Sequence, residues 1–256
     1  MAIYSNAYFM KGNIVVFYDK GLMMNIGVRL EAIGNLVPQG CTLADVGTDH
    51  AYLPVWLLQK NRITHAVAGD IAEGPCRAAR STVAMYGVKD KVEVRLGSGL
   101  KVLQPGEVEC VTIAGMGAST MIDIFEEAEA VTASLKHLVL QPMAGAASLR
   151  RWLCEHGWVI VDEDLVEDGV HFYEIISAVP GEKSQYSDAE YLIGPVLLKN
   201  GHLLLEKHFQ RQCNGLRQLM ANMERSQQAM ASEKYVHTKE LLLETEAIYK
   251  SVLNKA

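Results

Sequence analysis

No stretch of this 256-residue sequence approaches the roughly 20 consecutive apolar residues that a bilayer-spanning helix needs, so no membrane span is expected. Cysteine is scarce. The five present (Cys41, Cys76, Cys110, Cys154, Cys213) are odd in number, scattered, and never spaced C-x-x-C. That excludes a disulfide scaffold and fits reduced core thiols in a cytoplasmic protein; no metal is expected. An excess of positive charge is also missing: 24 Lys+Arg stand against 30 Asp+Glu, so the chain is not a uniformly basic nucleic-acid binder. There is no internal repeat and no low-complexity segment, and 49% hydrophobic with 21% charged residues excludes a disordered or collagen-like chain. The first residues lack the basic, then apolar, then small order of a signal peptide. Met23 and Met24 are candidate natural starts, and residues 1–23 are read as a leader, disordered or appended, outside the fold.

What is present is regular. The charge is uneven: residues 1–181 hold 14 Lys+Arg against 21 Asp+Glu, whereas residues 182–256 hold 10 against 9, so local patches can still meet phosphates. Ile26, Leu30, Ile33 and Leu36 recur at helical spacing up to the Pro38-Gln39-Gly40 turn. Short apolar runs at Thr42–Val46, Ala66–Gly69, Val92–Leu96, Cys110–Ala114 and Leu138–Gln141 then alternate with helical patterns near 51–60, 72–86, 118–132 and 146–156. Continuous apolar strands separated by helices describe a parallel sheet covered on both faces, a doubly wound α/β sandwich. Two β-rich runs, Trp158–Glu167 and Val170–Val179, flank Asp168-Gly169 and predict a terminal antiparallel hairpin. A dinucleotide-binding Rossmann sheet normally lacks that hairpin; the methyltransferase version has it. After Pro180-Gly181, Leu205, Phe209, Leu216, Met220 and Met223, then Leu241, Leu242, Ile248, Tyr249 and Val252, describe two long helices in an antiparallel hairpin or coiled coil. The expected division is therefore 24–181 for the sheet domain and 182–256 for the helical domain. The latter is a structural cap, a dimerisation arm or a substrate-grasping arm.

The strand ends carry the chemistry. After the first strand, Asp45-Val-Gly47-Thr-Asp49-His50-Ala-Tyr52 turns sharply at Gly47 and enters a helix, which leaves backbone open to a ligand in the crevice above the sheet. This is not G-x-G-x-x-G, since Asp49 and Tyr52 fill the later glycine positions. A pyrophosphate would lie beside the Asp45 and Asp49 carboxylates, so a sulfonium with a free amino group fits better, favouring S-adenosylmethionine over NAD. Asp70, 23 residues after Gly47, can accept from both ribose hydroxyls in either cofactor class, with Ile71 beside it. Gly97, Ser98 and Gly99 leave room for adenine or form a simple turn. Ala114, Gly115 and Met116 form the lip where transferred group and acceptor meet, and Gln141-Pro142 reaches the same lip.

These motifs, in order, resemble the bacterial tRNA adenine-N1 methyltransferases that modify adenine 22. The resemblance runs from about Met24 to the C-terminus through Arg29-Leu30, Ala44–Pro54, Ala68–Ile71, Arg95–Leu100, Ile113–Gly117, Leu140–Pro142, Glu167–Gly169 and Tyr173–Ile175. It implies a Rossmann-like domain dependent on S-adenosylmethionine, followed by a helical coiled-coil domain, with tRNA as partner and the protein a monomer or weak homodimer. Three positions depart from the family pattern: Ser98 stands for Asp, Met143 for Asn, and Ala118 for a second glycine.

Adenine N1 is a neutral lone-pair nucleophile, so methyl transfer demands alignment rather than a base, with reacting atoms about 3 Å apart and the adenine drawn from its stack. Asp49 and the Ala114 carbonyl are candidates to stabilise the charge that develops on the base. His50 is a candidate to accept a proton or stack, or simply to cap the helix; Tyr52 stacks on the base or packs. Arg29 fits phosphate binding or a surface ion pair. Lys199, Lys207, Arg211, Arg217 and Arg225 track RNA backbone or form a solvated helix face. An NAD-dependent oxidoreductase and a non-catalytic RNA-binding module remain the alternatives.

Overall fold

The computed structural model describes residues 7–10, 13–18 and 21–253, with side chains from Met24 to Val252. Strands β1 (Ala7–Met10), β2 (Asn13–Tyr18) and β3 (Gly21–Met24) form an antiparallel meander separate from the main sheet. The segment read as a leader thus carries strand structure, while its residues 1–6, 11–12 and 19–20 lie outside the described residues. The Met24 N–H donates to Gln59 Oε1 at 3.0 Å, tying the end of β3 to the fold that follows.

Helix α1 (Gly27–Leu36) leads into β4 (Cys41–Val46), α2 (Tyr52–Gln59), β5 (Ile63–Asp70), α3 (Glu73–Met85) and β6 (Val92–Leu96). The chain then crosses back through β7 (Cys110–Met116), α4 (Ala118–Glu126), α5 (Glu129–Thr132), β8 (His137–Pro142) and α6 (Ala146–Glu155) to the hairpin β9 (Trp158–Asp168) and β10 (His171–Pro180). The seven strands run in the order β6-β5-β4-β7-β8-β10-β9, with β10 antiparallel to both neighbours. The central strands are buried nearly throughout, which is why they read as unbroken apolar runs, whereas edge strand β9 alternates more. Helices α4 and α6 pack Met121, Phe125 and Trp152 on one face; α1, α2 and α3 pack Ile33, Leu57 and Val83 on the other. Strand order reverses between β4 and β7, which opens the crevice used by ligands in this architecture.

The hairpin turns one residue later than expected: Asp168 pairs with His171, and the two-residue loop is Gly169-Val170, with Gly169 at φ +61°. A positive φ at the first loop position demands glycine, which fixes the register there.

Helices α7 (Asp188–Ile193) and α8 (Pro195–Asn200) lie against the sheet domain. A capping box starts α7, with Ser187 Oγ accepting from the Glu190 N–H and Glu190 Oε2 accepting from the Ser187 N–H; Pro195 opens α8. Beyond them α9 (Leu205–Met223), the short α10 (Gln227–Met230) and α11 (Glu233–Leu253) make an antiparallel helical hairpin. Phe209 stacks on Tyr249 and Arg217 pairs with Glu246 near its base, while Tyr235 bonds Glu224 towards its tip. Its root packs Leu205 and Phe209 on Leu165 and Ile193. The joint is polar at its centre. The wholly buried Arg150 donates to Glu163 (2.6 Å), to Glu174 (2.8 Å) and to the Tyr191 carbonyl (3.0 Å), and Glu163 also accepts the Val196 N–H at the start of α8 (2.8 Å).

Candidate active site

The turn after β4 is held from three sides. The Gly47 and Thr48 N–H groups both donate to the Gly69 carbonyl at 2.8 and 3.1 Å, locking the turn to the end of β5. Gly47 sits at φ +75°, and a Cβ there would come closer than 3 Å to Met116 Cε. Asp49 and Ala51 also adopt positive φ, +50° and +55°, a conformation that costs ordinary residues free energy and clusters at functional sites. Underneath, the buried Asp45 accepts from Thr48 Oγ1 and Thr112 Oγ1, both at 2.7 Å. Burial pushes its carboxyl up, opposed by the two hydroxyls and by the positive charge of Arg29. Asp45 thus braces the turn as well as charging it.

A cavity of about 160 Å³ opens above this turn, and Arg29, Asp45, Gly47, Asp49, His50, Tyr52 and Ala114 share its lining with Leu30, Thr48 and Leu53. The His50 ring stacks on Tyr52, with centroids 5.0 Å apart, and its Nε2 lies 3.5 Å from Asp49 Oδ2. Capping is not its role: Ala51 occupies the N-cap of α2, with no side-chain cap. Arg29 reaches in from α1, donating to Gln141 Oε1 at 2.8 Å and lying 5.4 Å over the Tyr173 ring. Gln141 was expected at the lip but is wholly buried, and its amide donates to the Pro142 carbonyl and weakly to Met143 Sδ. Its reach is to Arg29, not to an incoming base.

The remaining strand ends continue the same edge. Asp70 Oδ1 accepts the Ala72 N–H (2.9 Å), and its Oδ2 lies 3.4 Å from the Asp49 nitrogen. The Gly97 N–H donates to the Asp70 carbonyl, which brings Gly97, Ser98 and Gly99 beside it, and Ile71 is exposed at the rim. Pro142 pairs with Met116 across β7 and β8, and the Met143 N–H donates to the Met116 carbonyl, next to Gly115. The methyl group of Ala118 packs against Gly145, where any side chain would approach it at 3.0 Å, so the departure at Ala118 is absorbed locally.

Lys207 and Arg211 are not part of this cavity. Lys207 pairs with Glu167, and Arg211 lies 5.0 Å over the Phe172 ring. Phe172 and Tyr173 are successive strand residues and face opposite ways, so Arg211 and Arg29 flank β10 from its two sides. Thr48, Thr112, Leu30, Leu53 and Tyr173 were given no site role from sequence, although all but Thr112 lie in the motifs that carry the family resemblance. Thr112, a hydroxyl within an otherwise apolar strand, was the available signal. Larger hollows of about 510 and 480 Å³ lie elsewhere and share no lining residue with this cavity.

Residues 26–176 match the family model described as a methyltransferase domain. The tRNA (adenine(22)-N(1))-methyltransferase of Bacillus subtilis is 32% identical over 189 residues, covering 72% of this chain and 79% of that protein. The chain belongs to this methyltransferase family. Among solved structures, the B. subtilis M1A22 tRNA methyltransferase TrmK superposes with a TM-score of 0.76 at 28% identity, over 89% of this chain and 98% of that one. A Streptococcus pneumoniae candidate tRNA (m1A22) methyltransferase in complex with S-adenosyl-L-methionine gives 0.76 at 33% identity, over 88% and 99%. The family match decides against the oxidoreductase alternative.

The residues present suit that cofactor as a ligand. Gly47 leaves a cradle that a Cβ would fill, and Asp45, Asp49 and Asp70 outnumber Arg29 around it, which suits a sulfonium and an ammonium group and repels a pyrophosphate. Among the described residues, no cluster of three or more His, Cys, Asp or Glu could hold a metal ion, and no helix is long and apolar enough to cross a membrane.

Proposed function

We propose that this methyltransferase transfers a methyl group from S-adenosylmethionine to N1 of adenine 22 in tRNA. The observation that carries the reading is the Gly47 turn, braced by Asp45, opening onto a cavity that Ala114 and Arg29 also line. The bound cofactor supplies an electrophilic methyl on a sulfonium, and the positive charge passes to the base with the methyl. Asp70 offers its carboxylate to the ribose hydroxyls, with Ile71 alongside and Gly97, Ser98 and Gly99 beside the adenine. Asp45, Gly47, Asp49 and His50 face the charged end. Ala114, Gly115 and Met116 form the lip.

Since N1 needs no deprotonation, the work of these residues is alignment and charge stabilisation. Asp49 and the Ala114 carbonyl stabilise the base as it becomes cationic. His50 and Tyr52, already stacked, offer an aromatic face to a base taken out of its helix. Arg29 meets RNA phosphate with the donors that Gln141 leaves free, and Gln141 holds it in place. Lys207 and Arg211 carry the contact to the outer side of the hairpin. The division into 24–181 and 182–256, residues 1–23 as a leader, a coiled-coil character for the α9–α11 hairpin, a cytoplasmic location and a monomer or weak homodimer complete the proposal.

The test is methyl-labelled S-adenosylmethionine with an unmodified bacterial tRNA transcript bearing adenine 22 and a control transcript bearing guanine 22, followed by digestion. Label in 1-methyladenosine from the adenine transcript alone is the expected result. Label in both transcripts, or in neither while the cofactor binds, rejects the assignment.

A further inference from the structure

Strand β7 carries one polar side chain among apolar ones. Val111, Thr112 and Ile113 are all wholly buried, and Thr112 points to the sheet face that Leu43, Cys110 and Val139 occupy. A valine of the same shape would suit those neighbours better, because a buried hydroxyl costs free energy unless it is bonded. Two acceptors lie within reach: Asp45 Oδ1 at 2.7 Å and the Ala44 carbonyl at 3.4 Å. A hydroxyl has one proton to give, and the nearer, charged acceptor takes it. Thr112 is the register partner of Asp45 across β4 and β7 but does not line the cofactor cavity. Whatever it does for that cavity, it does through Asp45.

Asp45 is only 7% exposed, and burial together with the Asp70 charge from β5 favours its neutral form. The hydroxyls of Thr112 and Thr48 and the charge of Arg29 on α1 oppose them, while Asp49 and His50 line the same cavity from the turn. Thr112 takes one carboxylate oxygen and Thr48 the other, each at 2.7 Å, so the plane of the carboxylate is fixed. The bonded series Thr112–Asp45–Thr48 thus ties the cofactor turn to β7, where Ala114 follows two residues later. We propose that Thr112 is a positioning residue for S-adenosylmethionine: its hydroxyl orients the Asp45 carboxylate beneath the Gly47 turn, and cofactor affinity depends on that bond. A carboxylate so held attracts the ammonium and sulfonium groups; a neutral or turned carboxyl does not. The inference rests on the cofactor and not on which base accepts the methyl.

Thr112→Val removes the hydroxyl at constant shape, and Thr112→Ser keeps it. Calorimetric titration at neutral pH should show S-adenosylmethionine bound about tenfold more weakly by T112V, with T112S within about threefold of the parent. Unfolding of the cofactor-free protein supplies a readout that a packing role would not move. The raised Asp45 carboxyl loses stability for the fold as pH climbs from about 4 through its folded value. Without the Thr112 hydroxyl that value climbs further, so T112V goes on losing stability after the parent has levelled off. The gap between their urea midpoints should therefore widen between about pH 5 and pH 8, and stay constant for T112S and for T112V made in the Asp45→Asn background. A gap of one size at every pH, or unchanged cofactor affinity in T112V, overturns the inference. Neither readout involves tRNA, so an error in the acceptor base leaves both standing.

Discussion

Replacing Gly47 by alanine tests the geometry of the cofactor turn. Two separate costs follow from the structure. The residue sits at φ +75°, and an L-residue in that region is less stable by about 1–2 kcal/mol. The new methyl also lands on the end of the Met116 side chain, which must leave its rotamer at about 0.5–1.5 kcal/mol. Together these come to about 1.5–3.5 kcal/mol, which at about 2–4 °C per kcal/mol for a chain of this size lowers Tm by about 3–14 °C. The two costs can be told apart because only the second involves Met116. Urea unfolding of the parent, G47A, M116A and G47A/M116A forms a double-mutant cycle, with an expected coupling of about 1 kcal/mol that favours the double variant over the sum of the singles. Calorimetric titration should show S-adenosylmethionine binding weakened at least about tenfold in G47A and not restored in G47A/M116A, since the Cβ still occupies the cradle. G47A within about 0.5 kcal/mol of the parent, with zero coupling to Met116, would refute the turn geometry.

Asp45→Asn should separate folding from binding. The folded carboxyl is held above its usual value by burial, so the folded state binds that proton more tightly than the unfolded chain, and stability falls as pH rises from about 4 through the raised value. A neutral asparagine removes that loss, so urea midpoints at neutral pH should be equal or higher while cofactor affinity drops; a large destabilisation would contradict it. Arg150→Met leaves Glu163 and Glu174 buried without their cation and should cost about 3–5 kcal/mol in chemical denaturation. Burial holds the His208 imidazole below its usual value, against the pull of Glu174, so protonation favours the unfolded chain. Stability should fall as pH drops below about 6.5, and His208→Gln should flatten that limb of the pH–stability curve. Arg29→Ala should raise KM for tRNA and steepen no further with salt, whereas Gln141→Leu should mimic it more weakly with cofactor affinity intact; equal loss of cofactor binding in both would place Arg29 on the cofactor instead.

The sheet was legible because its central strands are buried on both faces and its helices carry one apolar face each. Strand Val92–Leu96 coincides with the expectation to the residue, and the others differ at their ends, where burial gives way to turns. The strand-end motifs were legible as loops that could admit a ligand. Which side chains look into the crevice was not, because that depends on long-range partners. Gln141 withdraws from the lip only because Arg29, 112 positions earlier, takes its oxygen. Tyr173 meets Arg29 only because β10 brings its ring beneath the guanidinium. The Arg150 hub was invisible for the same reason, its acceptors lying on β9, β10 and α7. One of two adjacent arginines in an amphipathic helix, Arg150 reads as solvated until those elements converge on it.

The position of β10 between β8 and β9 sets the order in which the protein can be completed during synthesis. Strands β4 to β8 emerge first and can pair with one another, but the outer edge of β8 stays unpaired until residues 171–180 have been made and fold back past β9. An open, apolar edge on a parallel sheet invites pairing with other chains, so that interval is when the nascent protein is most vulnerable to aggregation. The catalytic crevice shares the delay, because Arg29 lacks its aromatic face until Tyr173 arrives. Arg29, in the first fifth of the chain, therefore waits for the last third before its surroundings are complete.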